Sequence, residues 1–141
     1  MKKIILAGVL SMLMPFAAYA DSHSDGDADS QVEGDAEAGE AIFKKCAACH
    51  AVGPDAKNKV GPVLNGVFGR EAGTVEGYKY SKAMLAAEKT WDEETLEEFL
   101  ANPRKALKGT KMAFGGLKKE DDLENVIAYL AQFDEEGNMA E

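Results

Sequence analysis

An all-α domain is what this sequence predicts, on three observations. Apolar residues recur at three- and four-residue spacing in several segments, capping residues stand ahead of those segments, and no stretch alternates apolar with polar as a half-buried strand would. The 141 residues suffice for one domain with a modest core and are too few for a two-domain enzyme.

Residues 1–20 are expected to stand apart from that domain. Lys2 and Lys3 precede an apolar run from Ile4 to Ala20 that closes with Ala18-Tyr19-Ala20, the pattern of a cleaved secretory signal. The run is shorter than the roughly 20 residues of a membrane span, and retention as an N-terminal anchor is the alternative. Cleavage removes two lysines and no acid, taking the net charge from −9 to −11, which excludes a nucleic-acid binder. Residues 21–34 are rich in Asp, Glu, Ser, Gly and Ala, without Lys or Arg, and read as a disordered acidic segment. His23 within it has no second ligand nearby and reads as a solvated tail histidine. The folded body is expected over 35–133, with 134–141 as an acidic C-terminal tail.

The first helix is expected from an Asp35 N-cap, with Gly39, Ile42, Phe43, Cys46 and Cys49 along one side. A short helix follows Ser81 as far as Ala87. Another begins at Thr90, where Thr90 and Glu93 match a capping box and Leu96, Phe99 and Leu100 form the buried stripe; Asn102-Pro103 stops it. The last runs from Lys119 to Phe133, with Asp121, Asp122 and Glu124 near its positive end and Leu123, Val126, Ile127, Leu130 and Phe133 on its apolar side. Between the first two lie thirty residues, Ala51 to Tyr80, with six glycines and no helical period. A loop of that length inside a compact domain needs something to pack against.

Cys46-Ala47-Ala48-Cys49-His50 supplies it. C-x-x-C-H is the attachment signature of c-type haem: thiols three residues apart leave one face of a helical turn and reach the two vinyl groups of one porphyrin, and the adjoining imidazole turns to the iron. A redox dithiol is a poorer reading, because the strand-helix setting of such motifs is missing. A zinc site lacks ligands, since His23 and His50 are the only histidines. The cofactor expected is therefore haem c, held by two thioethers. For a sixth ligand, Met139 lies in the acidic tail and Met84 on a short amphipathic segment where methionine is more often core. Met112 lies in an irregular loop, Lys108 to Gly116, able to present its thioether to the iron opposite His50.

With these residues in place the chain resembles the class I cytochromes c, in particular the mitochondrial and purple-bacterial soluble carriers. The resemblance spans Gly34 to Leu130 and rests on Gly39 with Phe43, Gly61-Pro62-Val63-Leu64, Gly66-Val67-Phe68-Gly69-Arg70, Gly77-Tyr78-Lys79-Tyr80-Ser81, Trp91, Asn102-Pro103, Gly109-Thr110-Lys111-Met112 and Ala128-Tyr129-Leu130. It implies helices and long loops wrapped around one haem, with His50 and Met112 as iron ligands. It implies that the Pro62 carbonyl orients His50, that Arg70, Tyr80 and Trp91 surround a buried propionate, and that Thr110 belongs with the cofactor-binding residues. It also implies a close crossing of the first and last helices at Gly39 and Tyr129. Three departures stand out. Phe99 replaces a tyrosine that usually reaches the methionine sulfur, Met84 stands near a common distal asparagine, and Lys108 replaces a loop proline. The first two remove polar groups from the pocket, so family-typical potentials do not carry over.

Arg104, Lys105, Lys108, Lys111, Lys118 and Lys119 form a basic run without an acid. Lys45 and Lys59 join it by resemblance around an exposed haem edge, giving an acidic protein a basic docking face. The function expected is a monomeric periplasmic electron carrier, not an enzyme. The resemblance implies a cytochrome bc complex as donor and a terminal oxidase or photosynthetic reaction centre as acceptor. A membrane-tethered carrier and a small haem peroxidase or ligand-binding haem protein are the alternatives; the last two require an open iron.

Overall fold

The computed structural model describes residues 32–140, so the expected signal segment, its cleavage point and most of the acidic stretch, including His23, lie outside the described residues. Five helices occur in them: α1 (Ala36–Phe43), α2 (Lys82–Leu85), α3 (Glu93–Ala101), α4 (Pro103–Ala106) and α5 (Glu120–Ala131). Two isolated antiparallel bridges, Glu71 with Thr90 and Phe133 with Met139, are the only extended pairings among them.

The Asp35 carboxylate accepts from the amides of Glu37 and Ala38 at 2.9 and 3.1 Å, satisfying two of the unpaired donors that begin α1. The Asp35 amide donates to Asn125 Oδ1 at 2.7 Å, which ties this cap to α5. At Gly39 the two helices meet backbone to backbone: a Cβ there would overlap the Asn125 carbonyl oxygen and lie 2.8 Å from Tyr129 Cβ. Beside that crossing Phe43 and Tyr129 pack at 5.4 Å between ring centroids. The helix stops at Phe43, before the cysteine motif. The chain continues through tighter turns in which the amides of Cys46 and Ala47 both donate to the Phe43 carbonyl, at 2.7 and 3.0 Å.

The start of α3 corrects the sequence reading. The capping box is Asp92 with Thr95, not Thr90 with Glu93. Thr90 is drawn into the bridge with Glu71, flanked by the bond from Ala72 N to Lys89 O at 2.8 Å, and extended backbone there delays the helix. Asn102-Pro103 ends α3 and also opens α4, which the sequence reading lacks: the Asn102 side chain caps the Lys105 amide at 3.2 Å and Pro103 occupies the first turn, where its missing N–H costs nothing. At the other end α5 stops at Ala131, two residues short of expectation. Phe133, buried, pairs with Met139, and the supposed tail folds back on the body through this bridge and the bond from Gly66 N to Phe133 O at 3.1 Å.

The core lies between α5, α3 and the long loop. Ile127 and Val126 are all but fully enclosed, and Leu96, Phe99, Leu100, Leu117, Val67 and Trp91 pack around them. Much of this apolar surface also faces a deep crevice between the loop and α3.

Candidate functional site

The crevice holds about 1390 Å³ of empty volume, counting the part open to solvent. All eight residues singled out from the sequence line it: Cys46, Cys49, His50, Arg70, Tyr80, Trp91, Thr110 and Met112. Residues 66 positions apart in sequence, Cys46 and Met112, thus share one wall system. Met84 and Phe99 also face it, whereas Met139 is remote and 54% exposed.

The turns after α1 deliver the first three. Cys49 N and His50 N both donate to the Cys46 carbonyl, at 3.0 and 2.9 Å, so the motif is wound on itself. His50 Nδ1 lies 2.7 Å from the Pro62 carbonyl oxygen. That bond places the proton on Nδ1 and leaves Nε2 with its lone pair for a metal. The ring is wedged as well: a Cβ on Gly61 would overlap Cε1 and lie 2.7 Å from Nδ1. Burial pushes the His50 pKa below its ordinary value, the Pro62 carbonyl opposes this, and Lys59 lowers it further. Burial raises the Cys46 thiol, against Lys45 and with Cys49. A redox dithiol needs the opposite, a thiol pushed down towards thiolate.

Arg70 enters from the far end of the loop. Its Nη1 donates to the Asn65 carbonyl at 2.6 Å and its Nη2 reaches the Val63 carbonyl at 3.5 Å. Its Nε is buried without a hydrogen-bond partner. A buried, unpaired guanidinium donor is costly unless an acid meets it. Tyr80 accepts from the Val75 amide at 3.2 Å and packs edge-on against Tyr78 at 4.8 Å, and burial, first among the causes, raises its phenol pKa. Trp91 closes the side towards α3, 5.1 Å from the Phe99 ring.

Met112 sits on the loop between α4 and α5. The Thr110 hydroxyl accepts from the Met112 amide at 3.3 Å, and the neighbouring Lys111 stretches across the crevice mouth, its ammonium 4.7 Å above the Tyr78 ring and donating to the Lys79 carbonyl. Lys108 is exposed, as are the other five basic residues of the run.

Among the described residues no three His, Cys, Asp or Glu side chains gather as a metal cluster. Two thiols, a neutral imidazole and a thioether on one apolar crevice, with an unpaired guanidinium donor at its edge, fit a large flat iron macrocycle carrying acid groups. Two participants escaped the sequence reading. Asn58 accepts from Val63 N at 2.9 Å and donates to the Glu76 carbonyl at 3.1 Å, pinning two parts of the loop together. Asn65 does the same for Gly53, accepting from its amide and donating to its carbonyl, both at 2.9 Å. An asparagine in a glycine-rich loop signals a turn, and nothing local distinguishes one that braces a distant arginine.

The cytochrome c family model matches residues 36–134. Cytochrome c-550 of Nitrobacter winogradskyi is 51% identical over 106 residues, 75% of this chain and 97% of that protein. Cytochrome c2 of Blastochloris viridis is 50% identical over 104 residues, 74% of this chain and 82% of that protein. Among solved structures, cytochrome cH from Methylobacterium extorquens superposes with a TM-score of 0.65 at 45% identity, covering 69% of this chain and 97% of that one.

Proposed function

This chain belongs to the cytochrome c family, binds haem c covalently and works in electron transport, and from that premise we propose that it is a periplasmic carrier that shuttles single electrons between membrane redox complexes, with His50 and Met112 as the residues that would hold the iron. The observation that carries this reading is the His50 to Pro62 bond of 2.7 Å, which fixes both the tautomer and the aim of the imidazole inside an apolar crevice that Met112 also lines.

Haem supplies a one-electron ferrous/ferric couple, in which no substrate bond is made or broken. Cys46 and Cys49 hold it through thioethers. His50, wedged by Gly61, would hold the iron through Nε2. Met112 would hold the iron through its thioether, a soft ligand that would favour the reduced state and would keep peroxide and small molecules from the metal. Arg70, with Tyr80 and Trp91 beside it, takes up a propionate, and Phe99 and the apolar residues around it keep water out. Thr110 steadies the Met112 backbone. Bonds to the Pro62 carbonyl and the Thr110 hydroxyl would hold the His50 ring and the Met112 backbone, so that little would need to rearrange when the charge on the iron changed.

Lys111 lines the crevice, and Lys105, Lys108 and their neighbours in the run are exposed, on a chain of net charge −9, which suits transient docking to acidic surfaces. The donor in this reading is a cytochrome bc complex, and the acceptor a terminal oxidase or a photosynthetic reaction centre, met by the protein as a monomer exported with loss of residues 1–20. Stopped-flow oxidation and reduction of the purified haem protein by each of these complexes tests it. Fast, saturable exchange with one donor and one acceptor is expected; uniformly slow exchange with all of them rejects the shuttle.

A further inference from the structure

The segment after α5 takes no part in lining the crevice, yet it is bonded internally and pressed onto the loop behind it. The Asp134 amide donates to the Asn138 carbonyl at 3.0 Å, the Asn138 amide to Asp134 Oδ1 at 2.7 Å, and the Ala140 amide to the Gln132 carbonyl at 2.9 Å. The turn so formed buries Gly137 at φ +85°, where a Cβ would overlap the Gly53 carbonyl oxygen and the Asn65 carboxamide. Glu135 of the same turn lies over Gly66, its backbone nitrogen 3.1 Å from where a Cβ would be.

Beneath this turn sits Asn65, 7% exposed. Its carboxamide satisfies both polar groups of Gly53 at 2.9 Å. Its own carbonyl receives the short 2.6 Å bond from Arg70 Nη1, the shorter of the two bonds that hold the guanidinium, while Nε of this crevice-lining residue is left buried and unpaired. The Asn65 backbone cannot turn away without breaking both bonds to the part-buried amide and carbonyl of Gly53.

We propose that Asn65 is a positioning residue for Arg70 and that residues 134–140 form a strap that keeps Asn65 in place, so that a turn outside the crevice sets how firmly the arginine meets a haem acid group. This deepens the function proposed above and rests on its reading of Arg70. Burial weakens the charged guanidinium, and Tyr80 and then Glu135, on the strap itself, restore it. With the strap lifted, water reaches the Gly53 and Asn65 pair and competes for its bonds.

Gly137→Val lifts the strap without changing charge, and Asn65→Ala removes the brace. Both are to be made in the haem-loaded protein and read by NMR exchange of the Arg70 Nε proton and by the midpoint potential. Each variant is expected to speed that exchange tenfold or more and to lower the potential, because a loosened positive group opposes the extra positive charge of the ferric form less. Amide protection across the α1–α5 crossing, Gly39 to Phe43 and Val126 to Tyr129, stays as in the unmodified protein. Unchanged Arg70 exchange in Gly137→Val overturns the proposal, and so does a parallel loss of protection in all helices. Should Asn65→Ala fail to fold, Gly137→Val and a chain ending at Phe133 decide the outcome by the same readings. Arg70→Gln separates the two levels: a potential that does not move refutes the propionate reading, while the strap's hold on Arg70 is still judged by exchange.

Discussion

The imidazole of His50 hangs from the carbonyl of Pro62 by a 2.7 Å hydrogen bond, with the α-carbon of Gly61 against the ring. The two partners lie twelve positions apart in the sequence, and the intervening chain is pinned by Asn58 and by the bond from Gly61 N to Cys49 O at 2.8 Å. The direction of the imidazole is therefore set by the protein's own backbone.

Gly61→Ala is expected to break this arrangement. The new methyl has no room beside Cε1 and Nδ1, and forcing a methyl group into a packed site costs about 1–3 kcal/mol. Chemical denaturation of the haem protein should show that loss, and the hyperfine-shifted His50 ring signals should move. A variant with unaltered stability and ring signals would show that the wedge has no effect.

Met112→Ala should abolish the weak far-red sulfur-to-iron charge-transfer band of the ferric protein and open the iron to carbon monoxide and peroxide, whereas Met84→Ala should keep the band. Met84 faces the same crevice, so this pair of variants discriminates between two sulfurs the geometry leaves within one pocket. Loss of the band in the Met84 variant alone would transfer the ligand role.

For docking, Lys105→Glu with Lys108→Glu is the informative pair, because Lys111 also braces the Lys79 and Tyr78 segment and reversing it would disturb the loop. Electron exchange with an acidic partner should slow several-fold at low salt and approach the unmodified rate at high salt, as the Debye length falls from ~30 Å at 0.01 M to ~8 Å at physiological strength. Rates that rise with salt in the unmodified protein would place the docking face elsewhere.

Asp92 caps α3, and its carboxyl is held below the ordinary range first by the Thr95 amide, then by the Thr95 hydroxyl. A depressed carboxyl contributes stability above its unfolded pKa and loses it as pH falls through the folded value. Asp92→Ala should therefore lower the denaturation midpoint near neutrality, with the difference from the unmodified protein shrinking in acid below about pH 4. Thr90→Ala, at the position the sequence pattern favours as cap, should have the smaller effect at neutral pH. Equal effects from both variants would contradict the capping assignment.

What the sequence determined by itself is whatever depends on near neighbours along the chain. The spacing of Cys46, Cys49 and His50 specifies a chemistry because the three act within two turns. The 3.6-residue periodicity of α3 and α5 shows their buried faces, since a helix repeats its own geometry. Tertiary structure decided the rest. It moved the α3 cap from Thr90 to Asp92, because the Thr90 backbone is committed to a partner nineteen residues earlier, Glu71. It folded residues 134–140 onto the loop, because Gly66 N finds the Phe133 carbonyl and Gly137 fits against Gly53 and Asn65, contacts that composition does not reveal. It also made Asn65 and Asn58 braces rather than turn residues. A side-chain amide has the same local preferences whether it meets water or a carbonyl brought from elsewhere in the fold, and only the folded chain settles which it meets.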